Sequence, residues 1–126
     1  MTLQELYEDL YARLSENEEL TEIMGEGKIL DYMPDDSDAI LEPYVVIADT
    51  NEIEGRLMND TDRQVTIRLH IWSDYEGRIE VIQIEQAIEK ALETETSGYN
   101  FESFEIMRNG KYEEQGVLTL RYYIDR

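Results

Sequence analysis

The segment from Gln64 to Ser73 alternates without a break. Val65, Ile67, Leu69 and Ile71 fall on one side; Gln64, Thr66, Arg68, His70 and Trp72 fall on the other. A period of two is the signature of a strand with one face on a core. The second face is polar, yet it ends in Trp72. Any fold for this chain must supply cover for the first face and an environment for the second.

Two helices are expected as that cover. Thr2-Leu3-Gln4-Glu5 reads as a capping box, in which the Thr2 hydroxyl accepts from the amide of residue 5 and Glu5 reaches back. Leu3, Leu6, Leu10 and Leu14 follow at helical spacing, with Tyr7 and Tyr11 beside them, so a helix is predicted over 3–15. Glu18 to Met24 reads as a short helical turn ending at Gly25-Glu26-Gly27. After the strand, Ser73-Asp74 offers an N-cap, and a second helix is predicted over 75–93. Val81, Ile84, Ile88, Ala91 and Leu92 form its buried stripe, widened by Ile79 and Ile82.

Three further extended segments are expected. Tyr44 to Asp49 is short, continuous and rich in β-branched residues, as in a mostly buried strand. Phe101 to Arg108 leads into Asn109-Gly110, a strong hairpin signal, and Gly116 to Asp125 returns. On the returning strand Leu118, Leu120, Tyr122 and Ile124 share one face, and Val117, Thr119, Arg121 and Tyr123 the other. Residues 50–62 read as a long polar loop, and residues 94–100 as a linker. Ile29, Leu30, Tyr32 and Met33 form only a short apolar patch before Pro34.

The element order is helix, strand, strand, helix, strand, strand. It predicts an α+β fold, with an antiparallel sheet of about four strands and two helices packed on one face. The 126 residues fit a single domain, 1–126.

Charge and chemistry narrow the function. The net charge is −19, which repels DNA and anionic membranes alike. Residues 1–40 hold 12 acids against only Arg13 and Lys28, so an electrostatic surface is expected there. No basic-then-apolar leader and no apolar run of about 20 residues is present, so the cytoplasm is the expected compartment. No Cys is present, so a thiolate site or cysteine nucleophile is excluded. His70 is the single histidine and reads as a half-exposed strand residue rather than a catalytic base. Asp35, Asp36 and Asp38 lack the EF-hand pattern. Gly25 and Gly27 do not follow a strand, so no phosphate loop is supported. No enzyme activity, cofactor or metal is expected.

Tyrosine is frequent, at nine residues, and tyrosine is enriched at protein interfaces. Trp72 and Tyr123 point to the outer sheet face, with Arg68, His70 and Arg121 beside them. An aromatic contact surface there would suit self-association.

Tyr44-Val45-Val46-Ile47-Ala48-Asp49-Thr50, a polar loop, Val65 to Ser73, and Tyr75-Glu76-Gly77-Arg78 opening a helix occur in that order. With Asp31 to Pro34 before them and a strand pair after them, this arrangement resembles the tail-completion and tail-terminator proteins of long-tailed bacteriophages and prophages. The resemblance runs from about residue 3 to residue 124. It implies a structural virion protein without enzymatic activity. Such a subunit forms a ring, commonly a hexamer, at the head-proximal end of the tail tube. The ring ends tube growth and joins the tail to the head connector. The implied partners are other copies of the chain, the tail tube protein and the connector. The implied location is the virion tail, reached by assembly in the host cytoplasm. A negative lumen would keep traversing DNA from sticking.

The loop from Thr50 to Arg63 is then the expected contact with a neighbour, with Asn51, Glu54, Arg56 and Asp60 as candidates. Removing residues 52–61 is expected to abolish assembly and spare the monomer. The competing expectation, from charge alone, is a monomeric acidic inhibitor or DNA mimic that binds a basic DNA-binding protein.

Overall fold

The computed structural model describes residues 2–34, 42–54, 63–74, 78–93, 98–108 and 114–124. It is a mixed α+β fold with three helices and a five-stranded sheet, one helix and one strand more than the sequence predicts.

α1 (Leu3–Ser15) starts as expected: Glu5 N donates to Thr2 Oγ1 at 3.1 Å, and Thr2 N donates to Glu5 Oε1 at 3.2 Å. Leu6, Leu10 and Leu14 are fully buried. α2 (Glu18–Met24) is a true helix rather than a turn. Asn17 caps it by accepting from Leu20 N at 2.9 Å, and Leu20 and Met24 are buried. Gly25 and Gly27 leave it at φ 94° and 73°, where a side chain would be strained.

The added strand is β1 (Ile29–Leu30), which pairs with β2 (Tyr44–Glu54) in parallel through Ile29↔Val45 and Leu30↔Val46. A strand of two residues has no period, so it reads in sequence as a patch. The chain from residue 31 to 43 is long enough to cross back, which is what a parallel pair requires.

β2 pairs antiparallel with β3 (Arg63–Ser73), and its register continues past a bulge between Ala48 and Asn51 to Glu54↔Arg63. Residues 50–54 therefore belong to a strand, not to a loop. The bulge adds a residue within Asp49-Thr50-Asn51 and breaks the alternation that would have revealed it. Residues 52–54 pair with 63–65, so removing 52–61 would cut into the sheet. Residues 55–62, including Arg56 and Asp60, lie outside the described residues.

β4 (Tyr99–Arg108) and β5 (Glu114–Ile124) are each longer than predicted and pair antiparallel. Their ladder closes at Arg108↔Glu114, so the connection spans 109–113 rather than Asn109-Gly110 alone; those residues lie outside the described set. β5 lies against β3, and the sheet order is β1-β2-β3-β5-β4.

All three helices contribute to a core on one face of this sheet. α3 (Ile79–Leu92) starts later than predicted, and residues 75–77 lie outside the described set. Its N-cap position is Arg78, without a side-chain cap bond. Ser73 is no cap: it is fully buried at the end of β3 and donates to Glu80 Oε1 at 2.6 Å. α3 buries Val81, Ile84, Ala87, Ile88 and Leu92. Ile79 and Ile82 do not widen that stripe, being 62% and 37% exposed.

α1 is tied to strands on either side. The Tyr7 hydroxyl donates to Ile47 O at 3.0 Å, taking a β2 carbonyl beyond the end of β1. The Tyr99 hydroxyl donates to Asp9 Oδ2 at 2.9 Å, and Arg13 Nε donates to the same oxygen at 2.8 Å. Burial and the Asp9 carboxylate push the Tyr99 hydroxyl well above its ordinary pKa, so it stays a donor.

α3 approaches the sheet closely at Gly116. A Cβ there would lie 2.6 Å from Val81 Cγ1 and 2.8 Å from Phe104 Cε1. Gly116→Ala is expected to lower unfolding free energy by about 1–3 kcal/mol through overpacking, as read from urea midpoints. An unchanged midpoint would contradict this close approach.

Candidate functional site

No described helix packs on the other face of the sheet. Strand register brings its residues together in rows, because directly paired residues point to the same side. One row is Tyr44, Trp72, Gln115 and Met107; the next is Val46, His70, Val117 and Glu105; the third is Ala48, Arg68, Thr119 and Ser103. Arg121 follows opposite Thr66.

The β1 end of this face is apolar. Leu30, Tyr44 and Val46 are buried there, with Ala48 and Trp72 packed against them. The sequence reading treats 44–49 as one buried run and misses this split: Val45 and Ile47 join the helix-side core, and Tyr44 and Val46 the opposite side. The split was visible only in the alternate positions of a run that is apolar throughout. The Trp72 indole nitrogen is buried and has no hydrogen-bond acceptor among the described residues.

The middle of the face is polar. Gln115 Nε2 donates to His70 Nδ1 at 2.7 Å, which commits that nitrogen as an acceptor and places His70 in a structural bond. Arg121 forms an ion pair with Glu102 on β4. On the helix side, at the end of the β4–β5 ladder, Arg108 Nε donates to Glu114 Oε1 at 3.0 Å. Arg68 is half-buried between the small side chains of Ala48 and Thr119 and has no ion pair among the described residues. A half-desolvated guanidinium without a carboxylate favours a partner that brings one.

The structure thus places Trp72, His70, Arg68 and Arg121 on one surface. Tyr123 has the strand position that continues this face, opposite Gln64, but its side chain lies outside the described residues. The same holds for Asn51 and Glu54, whose backbones lie in β2. Among the described residues, no group of three or more His, Asp or Glu is placed to hold a metal ion. No described helix is long and apolar enough to cross a membrane.

A second concave surface lies on the helix side, between the end of α1 and α2. It encloses about 530 Å³, with Leu14, Leu20 and Met24 at its base and Glu16, Glu18, Glu22 and Glu26 around it. Lys28 also lines it, its Nζ donating to Pro43 O at 3.4 Å. The sequence signal for this cleft was the acid excess of residues 1–40. Its shape was not legible, because the sequence places the helical stretch 18–24 but not how it packs beside α1.

One carboxylate is perturbed away from both surfaces. Glu85, on the buried side of α3, is pushed up to about 7 by burial, then by a hydrogen bond with Glu89 and by that residue's charge. The folded value exceeds the ordinary 4.5, so the protonated form is the one that folding favours. This contribution is fully present below the unfolded value and is lost as pH rises through about 7. Glu85→Gln is expected to raise stability at pH 8 by on the order of 1–3 kcal/mol and to flatten its fall between pH 5 and 8. Urea titrations of both proteins across that range check this; parallel curves would refute it.

Comparison with known proteins agrees with this architecture. A family model described as tail completion protein gp17 matches residues 8–125. A chain in the virion of a native gene transfer agent particle superposes with a TM-score of 0.78 at 15% identity, covering 93% of this chain and 92% of that one. The gp17 protein of bacteriophage SPP1 superposes with a TM-score of 0.60 at 18% identity, covering 98% and 91%. No curated protein sequence matches.

Proposed function

Because the chain belongs to the tail completion protein gp17 family, we propose that it is a structural protein of a phage or prophage tail that forms a ring at the head-proximal end of the tube. The ring ends tube growth and joins the tail to the head connector. The whole chain, 1–126, acts as one domain without catalytic activity or cofactor. Its partners are other copies of itself, six in a closed ring, together with the tube protein and the connector. It works in the virion tail after assembly in the host cytoplasm.

The observation that carries this reading is the helix-free sheet face. It carries Arg68, half-buried and with no ion pair among the described residues, beside the half-buried Trp72, and it spans strands β2 to β4. A guanidinium held half out of water favours a partner that brings a carboxylate. Identical copies joined by a heterologous contact that closes make a ring instead of a filament. The two solved neighbours, one from a virion and one from a bacteriophage, support a place in a particle.

Light scattering after size exclusion tests the proposal. A species near six times 14.9 kDa that persists on dilution is expected, either free or after addition of tail tubes. Failure to oligomerise in both settings would refute it. A salt-sensitive one-to-one complex with a basic DNA-binding protein would instead establish the acidic inhibitor.

A further inference from the structure

We propose that the helix-free sheet face of one copy docks into the acidic cleft between α1 and α2 of the next copy, with Arg68 seated among the cleft's glutamates. This deepens the self-association reading and rests on it.

Three observations converge. Arg68 is half-buried in the middle of the face, between Ala48 and Thr119, and Arg121 on the same face already holds a carboxylate. In the adjoining row Trp72 is half-buried. The guanidinium calls for an anionic partner.

The cleft has the complementary character. Its base is apolar, at Leu14, Leu20 and Met24, and Glu16, Glu18 and Glu22 stand around it. It is built from the stretch that concentrates the acids, 12 of them in residues 1–40. The cleft's apolar base matches the half-buried Trp72, and the glutamates match Arg68. A phosphate backbone is the poorer occupant of the face, since a chain of net charge −19 repels nucleic acid.

The placement also suits assembly. The face and the cleft lie on opposite sides of the sheet, the cleft belonging to the helix layer. A contact between them is head-to-tail, so each added copy offers a fresh cleft or a fresh face until the ring closes.

The chain contains no cysteine, which permits a clean test. Ser15→Cys marks the cleft, and Thr119→Cys marks the face beside Arg68; neither removes a charge. Equal amounts of the two proteins are mixed and treated with a short bismaleimide. Circular dichroism confirms that each variant is folded. The expected result is a mixed Ser15→Cys/Thr119→Cys product several-fold in excess over either self-linked product. The excess should shrink at high salt and disappear when Arg68→Glu is added to the Thr119→Cys copy.

Products in statistical proportion, or an excess indifferent to Arg68→Glu, would overturn the docking. Light scattering on the unmodified protein separates this from the ring itself. A closed oligomer without the preferred cross-link overturns the docking and leaves the ring standing. A preferred cross-link from a species that never exceeds a dimer supports the docking and overturns the ring.

Discussion

Replacing residues 55–62 with Asn-Gly will give a folded protein that no longer assembles. The β2–β3 ladder ends on the directly paired Glu54 and Arg63, and a two-residue Asn-Gly turn closes such a pair with the twist that antiparallel strands prefer. The exchange leaves every described β2–β3 pair in place, unlike removal of 52–61. It deletes Arg56 and Asp60, the candidates that lie outside the described residues. Shortening a loop also costs little, because closure entropy varies only slowly with length. The expected results are an unchanged circular dichroism spectrum, a urea midpoint within about 0.5 kcal/mol of the parent, the usual range for surface changes, and loss of binding to tail tubes. A variant that still terminates tubes would remove this loop from the proposed interface; one that unfolds would show that the segment supports the domain.

Leu69→Ala will have the largest effect on stability. Leu69 is fully buried on the central strand, flanked by Ile47 on β2 and Leu118 on β5 in the helix-side core. Truncation there removes contacts on both sides, and a strand held by two ladders relaxes little into the space. The expected loss is about 2–5 kcal/mol, a large share of the roughly 5–15 kcal/mol that holds a typical domain together. Denaturant unfolding measures it directly. Arg68→Ala, one position away on the open face, provides the contrast: it should change stability by less than about 0.5 kcal/mol, as for a surface position. Equal losses for the two would mean that the open face is packed as tightly as the core.

The two results bear on how the sheet divides its labour. β3 presents Val65, Ile67, Leu69 and Ile71 to the helices and Arg68, His70 and Trp72 to the open side. One strand thus anchors the fold and displays the candidate interface, and single substitutions at adjacent positions can separate the two roles. Stability measurements on Leu69→Ala report on the first. Assembly measurements on Arg68 variants report on the second.

What the sequence determined by itself is the part governed by local periodicity and local hydrogen bonding. The alternation of β3 located the central strand and both of its faces, because a two-residue period has one structural meaning. The Thr2–Glu5 capping box and the leucine spacing located α1, because the bonds involved join residues three or four apart. Trp72, His70, Arg68 and Arg121 were assignable to one face for the same reason.

The remainder depends on contacts between distant segments. β1 is a strand solely because Val45 and Val46 lie beside it. The β2 bulge hid the continuation to Glu54, since an added residue erases the period on which the reading relies. Ser73 became a buried donor to Glu80 and not a cap because α3 starts at Ile79. Ile79 and Ile82 lie outside the stripe that α3 buries, although the helix's apolar pattern includes them. The pairing of Arg121 with Glu102 arises across β5 and β4. Periodicity encodes which way a side chain points; which surfaces then meet is settled by packing, and packing is not written in any short stretch of chain.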